Sequence, residues 1–189
     1  MKTLILKENP YAFYIHCFAH EIQLALVAVA KKHIQVASLF LTIASVINVA
    51  GGSSKRCDML HELQAAKIIE ALDNGEISSG KGLNQETMLK RSSDTRWSSH
   101  YDSLLSLITM FLATIDLLEI IVDEGSSSEQ KIEANNLLST IQSFDFVFTL
   151  YLMKAILGIT NDLSKASQMR DQDIVNAMIW RKYVNKVYK

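Results

Sequence analysis

Two cysteines and two histidines raise the first chemical question. Cys17 and His20 form a C-x-x-H within YIHCFAHEIQLAL (residues 14–26), and Cys57 and His61 stand four apart in RCDMLH. Two thiolates with two imidazoles are a zinc ligand set on paper. The spacing weighs against zinc: fingers usually place their ligand pairs about a dozen residues apart, whereas two apolar stretches and the Gly51-Gly52 pair lie between these. An i, i+4 spacing does place Cys57 and His61 on one helix face, so a structural zinc stays open and depends on whether all four converge. A nucleophilic Cys17 with His16 or His20 as base rests on two residues alone, with no oxyanion-hole glycine motif and no orienting Asn or Asp beside them. The simpler reading makes Cys17 a small buried hydrophobe at a strand's end and His20 a residue of the next helix's first turn. Dinucleotide, Walker A, HExxH and GxSxG motifs are absent from the sequence.

A second constellation is LKRSSDTRWSSHY (89–101), in which Lys90, Arg91 and Arg96 surround Trp97 just before an apolar helical run. Cations for phosphates beside an aromatic face for a base are what unstacked nucleic acid needs. The alternative is structural: Asp94, Ser98 or Ser99 caps the helix, Trp97 packs at its start, and Arg96 pairs with Asp94. From the residues alone the structural alternative is modestly favoured.

The elements that must position these groups follow from composition and pattern. A length of 189 residues suits one domain or a piece of something larger, and a hydrophobic share of 49% excludes a disordered tail. The net charge of -1 means that any nucleic-acid role needs a local basic patch. Two cysteines give no disulfide framework, so a reducing compartment is the simpler assumption. The opening MKTLILKENP has too short an apolar run for a secretory signal.

After the sole proline, Pro10, the aromatic and β-branched run YAFYIHC (11–17) predicts a short strand. Residues 19–32 predict a helix buried on most sides, and 34–50 a second one, stopped by Gly51-Gly52, with Ser53 as the next N-cap. The uncharged stretch 34–52 approaches a bilayer span, but Gln35, Ser38, Thr42, Ser45 and Asn48 make it a buried core helix, and no membrane partner is expected. Residues 54–72 predict an amphipathic surface helix, with Leu60, Leu63, Ala66, Ile69 and Ala71 against Lys55, Arg56, Glu62, Lys67 and Glu70. A long loop follows, at about 73–96, rich in Asn-Gly and Ser-Ser-Gly. One long helix is expected over 97–122 with Leu104, Leu105, Ile108, Phe111, Leu112, Ile115, Leu118 and Ile121 on its core stripe, then helices at about 129–142, 144–167 and 171–189. The fold class is therefore mainly α, a helical bundle with one N-terminal strand. A lone strand needs a partner sheet.

The aromatic-flanked C-x-x-H leading into HEIQLAL, followed downstream by D-x-R-W at 94–97, resembles the hAT superfamily of DNA transposases. NPYAFYIHCFAHEIQLALVAVAKKH, SSKRCDMLHELQAAKIIEAL and RSSDTRWSSHYDSLLSLI are similar to the plant zinc finger MYM-type-like, domesticated members of that group. The similarity covers nearly the whole chain. It implies an RNase H-like catalytic core, working through an Asp, Asp, Glu metal triad and interrupted by a helical insertion domain. Residues 1–33 would be part of that core, strand plus C-x-x-H helix, and 34–189 the insertion region. Cys17 and His20 would then be scaffold beside the active site rather than zinc ligands, with Asp94 part of the second motif. Trp97 would stack near a flipped base at a hairpin DNA end, with Arg96, Lys90 and Arg91 beside it.

In the resembled family the catalytic aspartates precede the C-x-x-H and the glutamate follows the insertion domain, so the expectation is no catalytic residue, metal site or cofactor in this chain. Mg or another divalent metal belongs only to an intact transposase, and Asp58, Asp94 and Glu119 do not replace its triad, whose metals sit about 3.5–4 Å apart. The family's BED-type or TTF-type finger and its C-terminal dimerisation region are not seen in the sequence either. The functional expectation is a non-enzymatic fragment of an hAT transposase-derived protein, with an ancestral role in DNA binding and cut-and-paste transposition, DNA ends or hairpins as partner, and a nuclear location implied by the family. The competing class is a helical protein-interaction module that self-associates through exposed apolar surface.

Overall fold

The computed structural model describes residues 32–75, 88–91 and 97–166, together with Asn9, Leu26 and Ala28; for Trp97, Ser98 and Ala166 it describes the backbone alone. The expected strand at 11–17 and the expected last helix at 171–189 lie outside the described residues, as does most of the helix at 19–32, of which Leu26 and Ala28 are helical. Among the described residues there are six helices and no strand: α1 (Ile34–Ala50), α2 (Ser54–Asp73), α3 (Trp97–Thr109), α4 (Phe111–Glu124), α5 (Ser128–Ile141) and α6 (Phe144–Ala166).

The first of these, α1, is the hub, touching α2, α3, α5 and α6. Its first turns are exposed, while Leu39, Ile43, Val46, Ile47, Val49 and Ala50 are buried toward its C-terminal end. Phe40 meets the His100 ring edge-on at 4.7 Å and so ties α1 to α3. The expected stop is in place. Gly51 N–H donates to the Ile47 carbonyl at 2.8 Å, and a β-carbon on Gly51 would lie 2.9 Å from that same oxygen, too close to be tolerated without a shift. Ser53 then caps α2, its Oγ accepting the Arg56 N–H at 3.3 Å. The two axes meet at 105°.

On α2 the burial is narrower than its pattern predicts: Leu60 is buried, Leu63 is half-buried, and Ala66 and Ile69 face solvent. Lys67, expected on the solvent face, turns instead toward α4 and pairs with Asp116 at 3.1 Å. Hydrogen bonding to Asp116 and its charge raise the Lys67 pKa above its ordinary 10.5. A raised amine contributes fully below its unfolded pKa, so the lysine's part in this pair is fully present at neutral pH and is lost as pH rises through the raised value.

The single helix expected over 97–122 is two helices. The chain breaks at Met110, with φ -104 and ψ 19, and the axes of α3 and α4 diverge by 73°. No glycine or proline marks the break. Thr109 Oγ1 donates back to the Leu105 carbonyl at 2.9 Å and Thr114 Oγ1 to the Met110 carbonyl at 2.8 Å, the back-bonding that bends helices. Gln64 Nε2 on α2 donates to the Thr109 carbonyl at 3.3 Å. The break resets the helical phase, so Leu112, expected in the core, is 60% exposed, and Ala113 and Leu117 are buried in its place.

Two tight turns complete the bundle. Ser127 Oγ caps α5 by accepting the Gln130 N–H at 3.3 Å, and Glu129 in that first turn has its carboxyl pKa lowered by its own backbone N–H and then by the Ser127 hydroxyl. α6 packs on α3, α1 and α5 through Phe146, Leu150, Met153 and Leu157. Two expectations follow. Leu117→Ala should lower stability by about 3 kcal/mol in chemical denaturation while Leu112→Ala changes it by less than about 0.5; equal losses would restore the unbroken helix. A lowered carboxyl stabilises above its unfolded pKa, so Glu129→Gln should make stability fall less steeply as pH drops below the ordinary Glu value of 4.5.

Candidate nucleic-acid interface

Residues 88–91 run as a strap over the bundle, held at three consecutive positions. Leu89 packs against the core. The Lys90 backbone N–H donates to Ser106 Oγ at 3.0 Å, and this buried hydroxyl donates onward to the Ser103 carbonyl at 2.9 Å. Arg91 Nη2 donates to Asn48 Oδ1 at 2.5 Å. The backbone is thus fixed to α3 and α1 while the Lys90 and Arg91 residues stay exposed.

The residue that receives Arg91 lies in the last turn of α1, and its neighbour Val49 receives another arginine. Arg56 Nη1 donates to the Val49 carbonyl at 3.2 Å, and Nη2 to Gln130 Oε1 at 2.6 Å. That glutamine oxygen also accepts from Ser126 Oγ at 3.1 Å. α1 carries no basic residue in its own last turn, where the helix dipole is negative, so α2 and the strap supply the cations. Lys55 and Lys90, next to these arginines in sequence, are exposed. Two arginines thus reach the last turn of α1, each with an exposed lysine beside it in sequence. Glu124 stands against them: it lines, with Lys55, Arg56, Met59, Ile121 and Ser126, a shallow cleft between the α1–α2 turn and the α4–α5 turn.

Of the residues singled out in the sequence, Lys90 and Arg91 stand at this corner, and Trp97 opens α3, its side chain being outside the description. Cys17, His20, Asp94 and Arg96 lie outside the described residues. Lys55 and Arg56 were missed, because on the periodicity of α2 they read as ordinary solvent-facing charges. The only available clue was their place directly after a helix stop and an N-cap, where a chain turning sharply brings its first turn back against the preceding helix end.

Cys57 is a free, half-buried thiol whose Sγ lies 3.7 Å from the Ala50 carbonyl oxygen, and His61 is half-buried one turn on. Among the described residues no three or more His, Cys, Asp or Glu side chains stand together to hold a metal ion. Asp58 and Glu119 are both exposed.

Set against known proteins, the chain matches no family model and no solved structure. The corner must be judged on its own geometry. Arg56 joins α1, α2 and α5 through charged hydrogen bonds, so Arg56→Ala should cost about 2 kcal/mol of stability in denaturant titration. Adding Gln130→Ala should cost little more, since both substitutions remove one shared interaction.

Proposed function

We propose that this chain is a helical piece of an hAT transposase-derived protein that contacts DNA and performs no cleavage by itself. The observation that carries the reading is the basic corner at the end of α1: Lys90 and Arg91 exposed on an anchored strap, with Arg56 and Lys55 brought beside the same helix end. A fixed backbone under exposed cations lowers the ordering cost of holding a phosphate. In a chain with a net charge of -1, clustering of this kind is what gives a polyanion a place to bind. The resemblance of the C-x-x-H and D-x-R-W motifs supports the same reading and adds Trp97 and Arg96 as the groups that would meet a base. On that resemblance the DNA would be a transposon-type end or hairpin, the ancestral chemistry metal-assisted cut-and-paste transposition, and the location the nucleus.

A second reading, a non-enzymatic helical module for protein association, is favoured by a separate observation, the apolar outward face of α6.

DNA contact is tested by fluorescence anisotropy of a hairpin DNA with the full chain. Binding should weaken steeply between about 50 and 200 mM salt. Lys90→Ala with Arg91→Ala should weaken it about tenfold or more and reduce the salt slope by about 1 per charge removed; Trp97→Ala should weaken it with the slope unchanged. Absence of binding at low salt from a folded chain, or binding indifferent to the double substitution, would contradict the reading.

A further inference from the structure

α6 is apolar on two opposite sides. Its inward side, Phe146, Leu150, Met153 and Leu157, is buried against the bundle. Its outward side carries Phe144, Phe148, Tyr151, Leu152, Ile156 and Ile159, all exposed, Phe144 by 79% and Phe148 by 57%. A helix that is apolar all round belongs in an interior. Among the described residues α6 is also the only single helix long and apolar enough to cross a membrane. Crossing would require stripping its inward side from α3, α1 and α5, which a second protein surface does not.

We propose that the outward face of α6 is the contact by which two copies of this chain pair, helix against helix and antiparallel. Three features commit it to a second copy. Six side chains of this size and exposure offer on the order of 600 Å² of apolar surface, so two copies bury on the order of 1,200 Å², the lower limit for a stable interface. An isologous contact needs one surface that matches itself under a two-fold axis. Here the N-terminal half of the stripe is aromatic (Phe144, Phe148, Tyr151) and the C-terminal half aliphatic (Leu152, Ile156, Ile159), so an antiparallel pair sets bulky rings on smaller side chains at both ends. Ala155, exposed on the same face between Tyr151 and Ile159, would lie opposite Phe148 of the second copy in that pairing and leaves room for its ring.

Local order supports the fit. The Phe144 and Phe148 rings are stacked at 5.9 Å with planes 19° apart, and Lys154 Nζ sits 5.5 Å from the Tyr151 ring centre, so three of the anchors are partly preorganised. Asp162, exposed at the end of the face, ends the apolar stripe. The stripe spans about 22 Å along the helix.

The pairing rests on the reading of this chain as an association module, and the test separates the two. Sedimentation equilibrium of the full chain from about 1 to 50 μM should give twice the 21.2 kDa of one chain. Phe148→Glu, at an exposed site, should return the mass to one chain with the circular dichroism and melting curve kept, whereas Leu112→Glu, exposed on α4 outside the stripe, should leave the dimer. Phe144→Cys with Ile159→Cys should cross-link between copies under mild oxidation, and Phe144→Cys alone should not. A monomer throughout that range, or a dimer indifferent to Phe148→Glu, would overturn the pairing. A monomer that binds an apolar dye, with binding lost in Phe148→Glu, would overturn only the second copy as occupant; a monomer that binds no dye would overturn the association reading as well.

Discussion

The basic corner of the bundle depends on how the C-terminal end of α1 is closed. A helix end leaves carbonyls without partners, and when that end is buried each must be answered or costs on the order of 1–3 kcal/mol. Val49 and Ala50 are buried and four other helices press on this element, so water is not a convenient partner. Gly51 returns its N–H to Ile47 and Gly52 its own to Val49, Arg56 crosses from α2 to the same Val49 carbonyl, and Cys57 lies against Ala50. The 105° turn into α2 is what makes the last two possible. Because one answering group is a guanidinium and the strap adds a second at Asn48, closing the helix end also places positive charge at one corner of the bundle.

The break at Met110 has an equally specific consequence. A straight helix over the same residues would carry one continuous stripe. Instead α4 lies across α2, with the Lys67–Asp116 pair and the Gln64 bond to Thr109 holding the crossing, and it packs closely on α5. α3 is left free to line α6 and, through Ser106, to hold the strap.

Much of this was legible in the sequence and the rest was hidden for physical reasons. Apolar periodicity, with Gly51-Gly52, Ser53 and the EGSSS run as stops and caps, placed ten helix ends to within two residues, because caps and breakers act locally. The Met110 break was invisible, since Thr109 and Thr114 are ordinary helix residues and the Gln64 side chain that bonds the Thr109 carbonyl comes from another helix. Lys67 looked solvated because an ion pair with Asp116 is a tertiary fact. At the candidate site, Lys90 and Arg91 could be picked out by their proximity to an aromatic; Lys55 and Arg56 could not, because what joins them to the strap is a shared helix end. The apolar outer face of α6 was readable as hydrophobicity, not as exposure, for periodicity says nothing about how many sides find a partner.

The central claim, that the closed end of α1 is where this protein meets DNA, is tested most directly by hydrogen exchange of the full chain with and without a hairpin DNA. The account predicts added protection at residues 51–57 and 88–91, with the amides of 43–50 already among the slowest to exchange in the free protein. Protection confined to other segments, or fast exchange across 43–50 before any DNA is added, would contradict it.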